Sequence, residues 1–462
     1  MKKEIAVINL GDCRRAFYET RRPIAEAETE KLIRGLRKRY TVFAPPPVFD
    51  IGEALQVADE IRRRLITQVV IHIPIWCTPN FVFRIAEATP YPVVVFGNTR
   101  KDSSSTVALL ATAGLLNQAG KAHERVIGDI DDPAVFKKVS DLLDAVAVAD
   151  GLKRSSYGMI GGRSIGIGTT VADPIQWQKT FGVEFDHCDQ YEIVWRAMQM
   201  EEERVERHFN WVKEHFTVTY GGLFTEETLK KQVRSYLALK DIAKEHSYDF
   251  MGVKCQPDMS DHFVLQCLGV SLLNNTVDAD GEKAPIPTSC ECDCDGALTM
   301  RILSLCAQGK PSCLVDIRYF SGEEKKFILA NCGAMAPYFA DPKDPENALK
   351  ESFMLSHVFG EAGGGAVQMV GSEGKVTVAR MIRQDGKYIL TCFEGDMISQ
   401  PREELKKTNY SYPTQFIHAD IDYDRFFRTM NANHLHTVYG SYKEVLRHFC
   451  EIAGIEYICY NR

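Results

Sequence analysis

Long apolar runs, an excess of positive charge and internal repeats are all missing from this 462-residue chain. The longest apolar stretch, 107–116, is broken by Thr112 and Gly114 and falls well short of the roughly 18 consecutive apolar residues of a membrane-crossing helix. The opening MKKEIAVINLGD has too short an apolar core and no small-residue cleavage site, so no secretory signal is expected and a cytoplasmic location is. Lys and Arg number 55 against 62 Asp and Glu, a net charge of −7. A nucleic-acid partner, which needs a basic face to displace counterions, is therefore not expected, and neither is a membrane partner. What the chain does have is ordinary globular composition, with 45% hydrophobic and 25% charged residues, and length for two or three domains at roughly 150 residues each.

Fourteen cysteines would imply a disulfide framework only in a small secreted chain. Here they read as free thiols, many of them core residues. Cys290, Cys292 and Cys294 alternate with single residues, whereas zinc sites space paired cysteines by two to four, so structural zinc is not expected. The glycine-rich run 161–168 lacks the third glycine and downstream acid of a dinucleotide site, and no Gly-Lys-Ser/Thr phosphate loop is present. Close packing of a strand end against a helix explains it more simply, with backbone amides for a sugar pocket as the functional alternative.

Residues 1–152 alternate β-branched runs (5–9, 41–44, 69–75, 93–96, 125–127) with amphipathic stretches (27–40, 52–66, 81–88, 107–119), followed by a long helical pattern at 134–152. That alternation predicts βαβ units and a parallel sheet covered on both faces. Residues 153–310 make a second α/β start, with a glycine-rich strand and loop at 157–169 and a strand at 250–254. Helices are expected at 191–216, 226–246 and 262–273. Residues 311–462 change character: 366–398 reads as a three-stranded meander turning near 372–374 and at Asp385-Gly386, a strong hairpin signal. The expected fold is α/β, with two Rossmann-like or flavodoxin-like parallel-sheet domains and a β-rich C-terminal domain, divided as 1–152, 153–310 and 311–462.

Three places combine metal-capable side chains with strand or loop signals. They are the run SCECDCD at 289–295, the acid in Leu314-Val315-Asp316-Ile317-Arg318, and the loop Asn433-His434-Leu435-His436. Taken singly, each has a plain structural explanation. Glu291 or Asp293 would cap the following helix, Asp316 would pair with Arg318, and His434 would be a hydrogen-bonded loop histidine.

Together and in this order, with GDCRR at 11–15 and GGRSIGIGTTVADPIQWQKTFGVEFDHCDQYEI at 161–193, they resemble the L-fucose isomerase/L-arabinose isomerase superfamily, and more closely its L-fucose isomerase-like branch. The resemblance implies an intramolecular oxidoreductase that interconverts an aldose and a ketose through a metal-stabilised cis-enediol. It implies Glu291, Asp316 and His434 as ligands of one divalent cation, Mn2+ or else Mg2+ or Co2+, with Glu291 and Asp316 also the acid/base pair. It further implies a homo-oligomer, hexameric or tetrameric. A hard cation with open positions suits such chemistry because it chelates two adjacent sugar oxygens and steadies developing negative charge.

The resemblance also nominates substrate-binding residues: Arg14 and Arg15 after the first strand, Gln256 after the 250–254 strand, Asn433 beside the histidine, and His357. His436 is placed behind the ligands, and Asp258, Asp261 and His262 rank below. The cysteine-rich setting of Glu291 departs from the polar one usual in long L-fucose isomerases. Compact relatives take varied sugars, neutral ones such as L-fucose, D-arabinose and L-arabinose or the sulfonated sulfoquinovose. An anionic sugar would want a guanidinium, from Arg14, Arg15 or Arg163, or the Lys254 ammonium. Two rival readings stay open, a sugar-binding or sensory protein and a metal-dependent aldolase.

Overall fold

The structure, a computed structural model, describes residues 4–408 and 412–462. It divides into two compact units, one running through Asp150 with Arg447–Ile452, the other Gly151–Leu446 with Ala453–Arg462.

The first unit is built on five parallel strands in the order Thr41–Phe43, Glu4–Asn9, Val69–Ile73, Val93–Gly97, His123–Ile127. Side chains of a strand alternate between faces, and here both faces are apolar: Ile5 and Val7 join one core, Ala6 and Ile8 the other. The expected helix at 27–40 begins much earlier, as Arg15–Arg37, and runs through Pro23. Tyr18, Ala25 and Leu32 are buried at seven-residue intervals, so one apolar face is continuous across the proline. Arg15 is thus a helical residue rather than part of a loop.

The second unit opens with a four-stranded parallel sheet in the order Thr288–Cys290, Phe250–Val253, Ser156–Ile160, Glu184–Cys188. Two expected helices are each split. Residues 191–216 form Tyr191–Gln199 and Glu202–His215, with Met200 extended between them and Glu202 and Glu203 in the new first turn, where the helix dipole favours acids. Residues 262–273 give way to Asp258–His262 and Cys267–Leu273.

The remainder of the second unit carries a closed antiparallel ring of six strands. It runs from Gly374–Gln384 through His434–Tyr439, Cys313–Ser321, Lys326–Ala330, Thr414–His418 and Lys387–Met397 back to Gly374–Gln384. Closure leaves the ring no free edge. Glu456–Cys459 adds in parallel to Lys387–Met397. The hairpin at Asp385-Gly386 forms as the sequence predicts, both residues at positive φ (48° and 74°) between paired Gln384 and Lys387. The three-stranded meander does not form. Gly365–Gln368 pairs with Phe353–Ser356 in a separate small sheet. Its continuation is drawn away by a bridge from Val370 to Thr414 and by the Gly371 N–H donated to the Thr414 carbonyl. Among the described residues, no helix is long and apolar enough to cross a membrane.

Candidate functional site

Where the parallel sheet of the second unit meets the antiparallel ring, three segments converge. Thr288–Cys290 ends at Glu291, at the carboxyl edge of the parallel strands, where α/β sheets commonly present ligand-binding groups. Glu291 and Cys292 are both left-handed (φ 58° and 50°), a conformation that costs non-glycine residues of order 1–3 kcal/mol each and concentrates at functional sites. Gly252 gives this turn room: a Cβ there would stand 3.2 Å from Cys292 Cα. The chain then enters the helix Cys294–Cys306, capped by Asp293, whose Oδ1 accepts the Gly296 N–H at 2.9 Å.

Asp316 and His434 come from neighbouring strands of the ring and are register partners. The His434 ring is buried. Its Nε2 lies 3.3 Å from Glu291 Oε2 and 3.5 Å from Asp316 Oδ1, while its Nδ1 lies 2.7 Å from Asp293 Oδ2. The three residues singled out by sequence are therefore together, with Asp293 behind the histidine. Buried as they are, His434 Nε2 and Glu291 Oε2 make no hydrogen bond. Native proteins seldom leave such atoms without a hydrogen bond, and their convergence with Asp316 makes a place where the three side chains could hold a cation.

The electrostatics agree. Burial disfavours a charged imidazole, yet the carboxylates of Asp293, Glu291 and Asp316 outweigh it and raise the His434 pKa to about 10. Positive charge is welcome at this point. Burial raises the Asp316 pKa, with Glu291 adding and His434 and Arg318 opposing. Burial likewise works against the Asp293 carboxylate, but the Arg380 guanidinium and His434 more than compensate and hold its pKa well below the usual range. Two oxygen ligands and one imidazole around a position bordered by partly exposed Asp316 suit a divalent cation with open coordination sites.

The nominated sugar contacts are distributed as follows. Asn433, whose carbonyl accepts the Ile317 N–H at 3.1 Å, helps to lower the Asp316 pKa against burial. Gln256 offers its carbonyl to Ser164 Oγ at 2.8 Å. His357 has both ring nitrogens engaged, Nε2 with the Cys332 carbonyl and Nδ1 accepting the Phe359 N–H at 3.2 Å, so neither is available as a ligand. Cys332 Sγ in turn lies 3.5 Å from Cys290 Sγ, beside Glu291. Arg14 and Arg15 belong to the first unit, where Arg14 clasps Asp12 and Arg15 reaches Glu53 at 2.7 Å. His436 is fully buried and its two ring nitrogens have no hydrogen-bond partner. From the glycine-rich loop, Gly168 and Thr169 border a cavity of about 180 Å³ with Arg380, Arg383 and Asp295.

Sequence reasoning missed Arg380. It interrupts an apolar strand, between Ala379 and Met381, as Asp316 interrupts Leu314-Val315, and that shared signal would have found it. Among the described residues, the group whose ligand-capable atoms all lie within 4.8 Å of one another is His208, Asp278 and Asp280, and it went unnoticed as well. It already holds a cation: Lys240 Nζ sits 2.6 Å from Asp278 and 2.7 Å from Asp280, and Arg207 adds another charge at 2.5 Å.

Comparison with known proteins puts this sheet-and-ring architecture among aldose–ketose isomerases of the L-fucose isomerase kind. Residues 4–152 match the L-fucose isomerase first N-terminal domain and residues 329–461 the L-fucose isomerase C-terminal domain, together well over half of the chain. The chain belongs to the L-fucose isomerase family. His434 falls inside the C-terminal match, whereas Glu291 and Asp316 lie between the two matched segments. The chain is 23% identical over 332 residues to a sulfoquinovose isomerase of Priestia aryabhattai, covering 69% of this chain and 71% of that one. It is 22% identical over 371 residues to a sulfoquinovose isomerase of Alkalicoccus urumqiensis, covering 74% and 79%. An L-fucose isomerase of Streptococcus pneumoniae is 22% identical over 334 residues, covering 63% of this chain but only 56% of the relative.

Proposed function

We propose that this protein interconverts an aldose and a ketose by moving a proton between C1 and C2 through a cis-enediol, with Glu291, Asp316 and His434 holding one divalent cation. Manganese is the first choice, magnesium or cobalt the alternatives. The observation that carries this reading is the pair of bare, buried ligand atoms His434 Nε2 and Glu291 Oε2, 3.3 Å apart, with Asp316 Oδ1 completing the group. When bound, the cation supplies a Lewis acid for the sugar's adjacent oxygens and neutralises charge developing on them.

The protein's own residues do the rest. Glu291 and Asp316 approach from two different elements, so one takes the carbon-bound proton while the other, bearing its proton, serves the oxygen. Burial raises the Asp316 pKa above the ordinary carboxylate value, the direction an acid/base partner needs. Asn433, beside His434 in sequence, is read as a contact to a sugar hydroxyl. Gln256 is a further sugar contact in this reading.

The likeness to sulfoquinovose isomerases favours an anionic aldose over a neutral one. Arg318 supports that choice. It is exposed, lies two residues beyond Asp316 on the same strand, and sets its guanidinium over the Tyr412 ring at 5.4 Å. The protein is further read as a cytoplasmic homo-oligomer, hexameric or tetrameric, with three domains divided near 152 and 310.

Incubating the Mn2+-loaded protein with a panel of neutral and sulfonated aldoses in D2O, followed by NMR, tests the reading. Ketose formation with deuterium at the exchanging carbon supports it. Carbon–carbon cleavage would indicate an aldolase, and sugar binding without exchange a sensory protein; either overturns it.

A further inference from the structure

We propose that Asp293 is a positioning residue whose carboxylate, gripped by Arg380, holds the His434 ring so that Nε2 faces Glu291 and Asp316. This rests on the reading of His434 as a metal ligand.

Asp293 is completely buried, and each of its oxygens has assigned work. Oδ1 accepts the Gly296 N–H at 2.9 Å and Arg380 Nη2 at 3.1 Å; Oδ2 accepts Arg380 Nη1 at 2.5 Å and meets His434 Nδ1 at 2.7 Å. An imidazole whose Nδ1 is held by a fixed acceptor has its ring orientation set, so Nε2 is directed to the opposite side. Nε2 is the atom found bare between Glu291 and Asp316.

The grip on Asp293 is itself rigid. Arg380 is 1% exposed, donates its Nη2 also to the Thr169 carbonyl at 3.0 Å, and belongs to the strand whose Ala379 pairs with His436. The strand bearing Arg380 is thus hydrogen-bonded to the strand bearing His434. A buried Arg–Asp pair is weak as a source of stability, because desolvation offsets its attraction. Its use here is directional, since the planar guanidinium fork fixes the carboxylate plane. Packing is equally tight: a Cβ on Gly296 would stand 2.6 Å from Asp293 Oδ2 and 2.8 Å from His436 Nε2.

A helix cap alone would explain Asp293 only in part. Asparagine caps as well as aspartate, so Asp293→Asn separates the two roles. Outer partners of metal-bound histidines typically contribute 10- to 100-fold in metal affinity. The test is Mn2+ titration of the metal-free full-length chain, followed by calorimetry and by the EPR signal of free Mn2+, on wild type, Asp293→Asn, the charge-balanced double variant Asp293→Asn/Arg380→Met, and Gly296→Ala. The last keeps every charge and adds only a methyl against the carboxylate. Folding is checked by circular dichroism.

The expected result is Mn2+ affinity lowered about 10- to 100-fold in each folded variant. Wild-type affinity in folded Asp293→Asn or in Gly296→Ala overturns the positioning role while leaving His434 as a ligand. Absence of Mn2+ binding in the wild type removes the ligand reading itself, and this inference with it.

Discussion

Asp316 and His434 stand directly opposite each other on adjacent antiparallel strands, with Asp316 Oδ1 3.5 Å from His434 Nε2. Cross-strand partners share one face of a sheet, so register alone delivers a carboxylate and an imidazole to the same point. Glu291 then needs only to arrive from the end of a parallel strand, and its left-handed turn is the local distortion that brings it there.

Replacing Asp316 by asparagine keeps an oxygen in place but removes the proton carrier. We expect kcat to fall by about 10²- to 10⁴-fold, the usual worth of general acid–base catalysis, with a smaller change in Mn2+ affinity. Stopped assays at saturating Mn2+ read the first quantity and calorimetry the second. Equal losses in both would make Asp316 a ligand only.

Substrate choice turns on Arg318. A charge-assisted hydrogen bond contributes roughly 1.5–3 kcal/mol, so Arg318→Gln should lower kcat/KM for a sulfonated aldose by about 10- to 100-fold. Turnover of any neutral aldose should change little. Parallel loss on both sugars would assign Arg318 to the shape of the pocket rather than to recognition of an anion.

Lys283 gives a pH signature unrelated to catalysis. Its Nζ donates to the carbonyls of Leu273 (3.0 Å) and Asn275 (2.7 Å), and burial lowers its pKa from 10.5 to about 8 despite nearby Asp278. Below about pH 8 both folded and unfolded chains are protonated and the penalty of burying the charge is complete. Between about 8 and 10.5 the unfolded chain holds more protons, so stability rises with pH through that window. Thermal melts of wild type and Lys283→Met should therefore move in favour of the wild type as pH rises from 8 to 10.5. A constant difference contradicts this account of Lys283.

The parts of the molecule most legible in the sequence were those with local causes. Alternating β-branched and amphipathic runs disclose the parallel sheets, and Asp385-Gly386 discloses its hairpin. Glu291, Asp316 and His434 were recognisable because acids and an imidazole interrupt runs that would otherwise be apolar strand or loop, and because their order resembled a family. What was not legible depends on tertiary contacts. The helix through Pro23 is sustained by a buried face at Tyr18, Ala25 and Leu32 that local propensity does not reveal. The fate of Gly365–Gln368 was decided by pairing with Phe353–Ser356, not by the turn residues that follow it. Asp293 read as a helix cap and proved to face His434 as well, a contact across 141 residues that no spacing rule anticipates.

Metal titration of the purified, metal-free chain puts the ligand assignment to its most direct test. One Mn2+ per chain should bind the wild type, Glu291→Gln and His434→Asn should each abolish that binding, and Asp280→Asn, in the group already neutralised by Lys240, should leave it intact. Undiminished binding in Glu291→Gln and His434→Asn, or its loss in Asp280→Asn, would contradict the assignment.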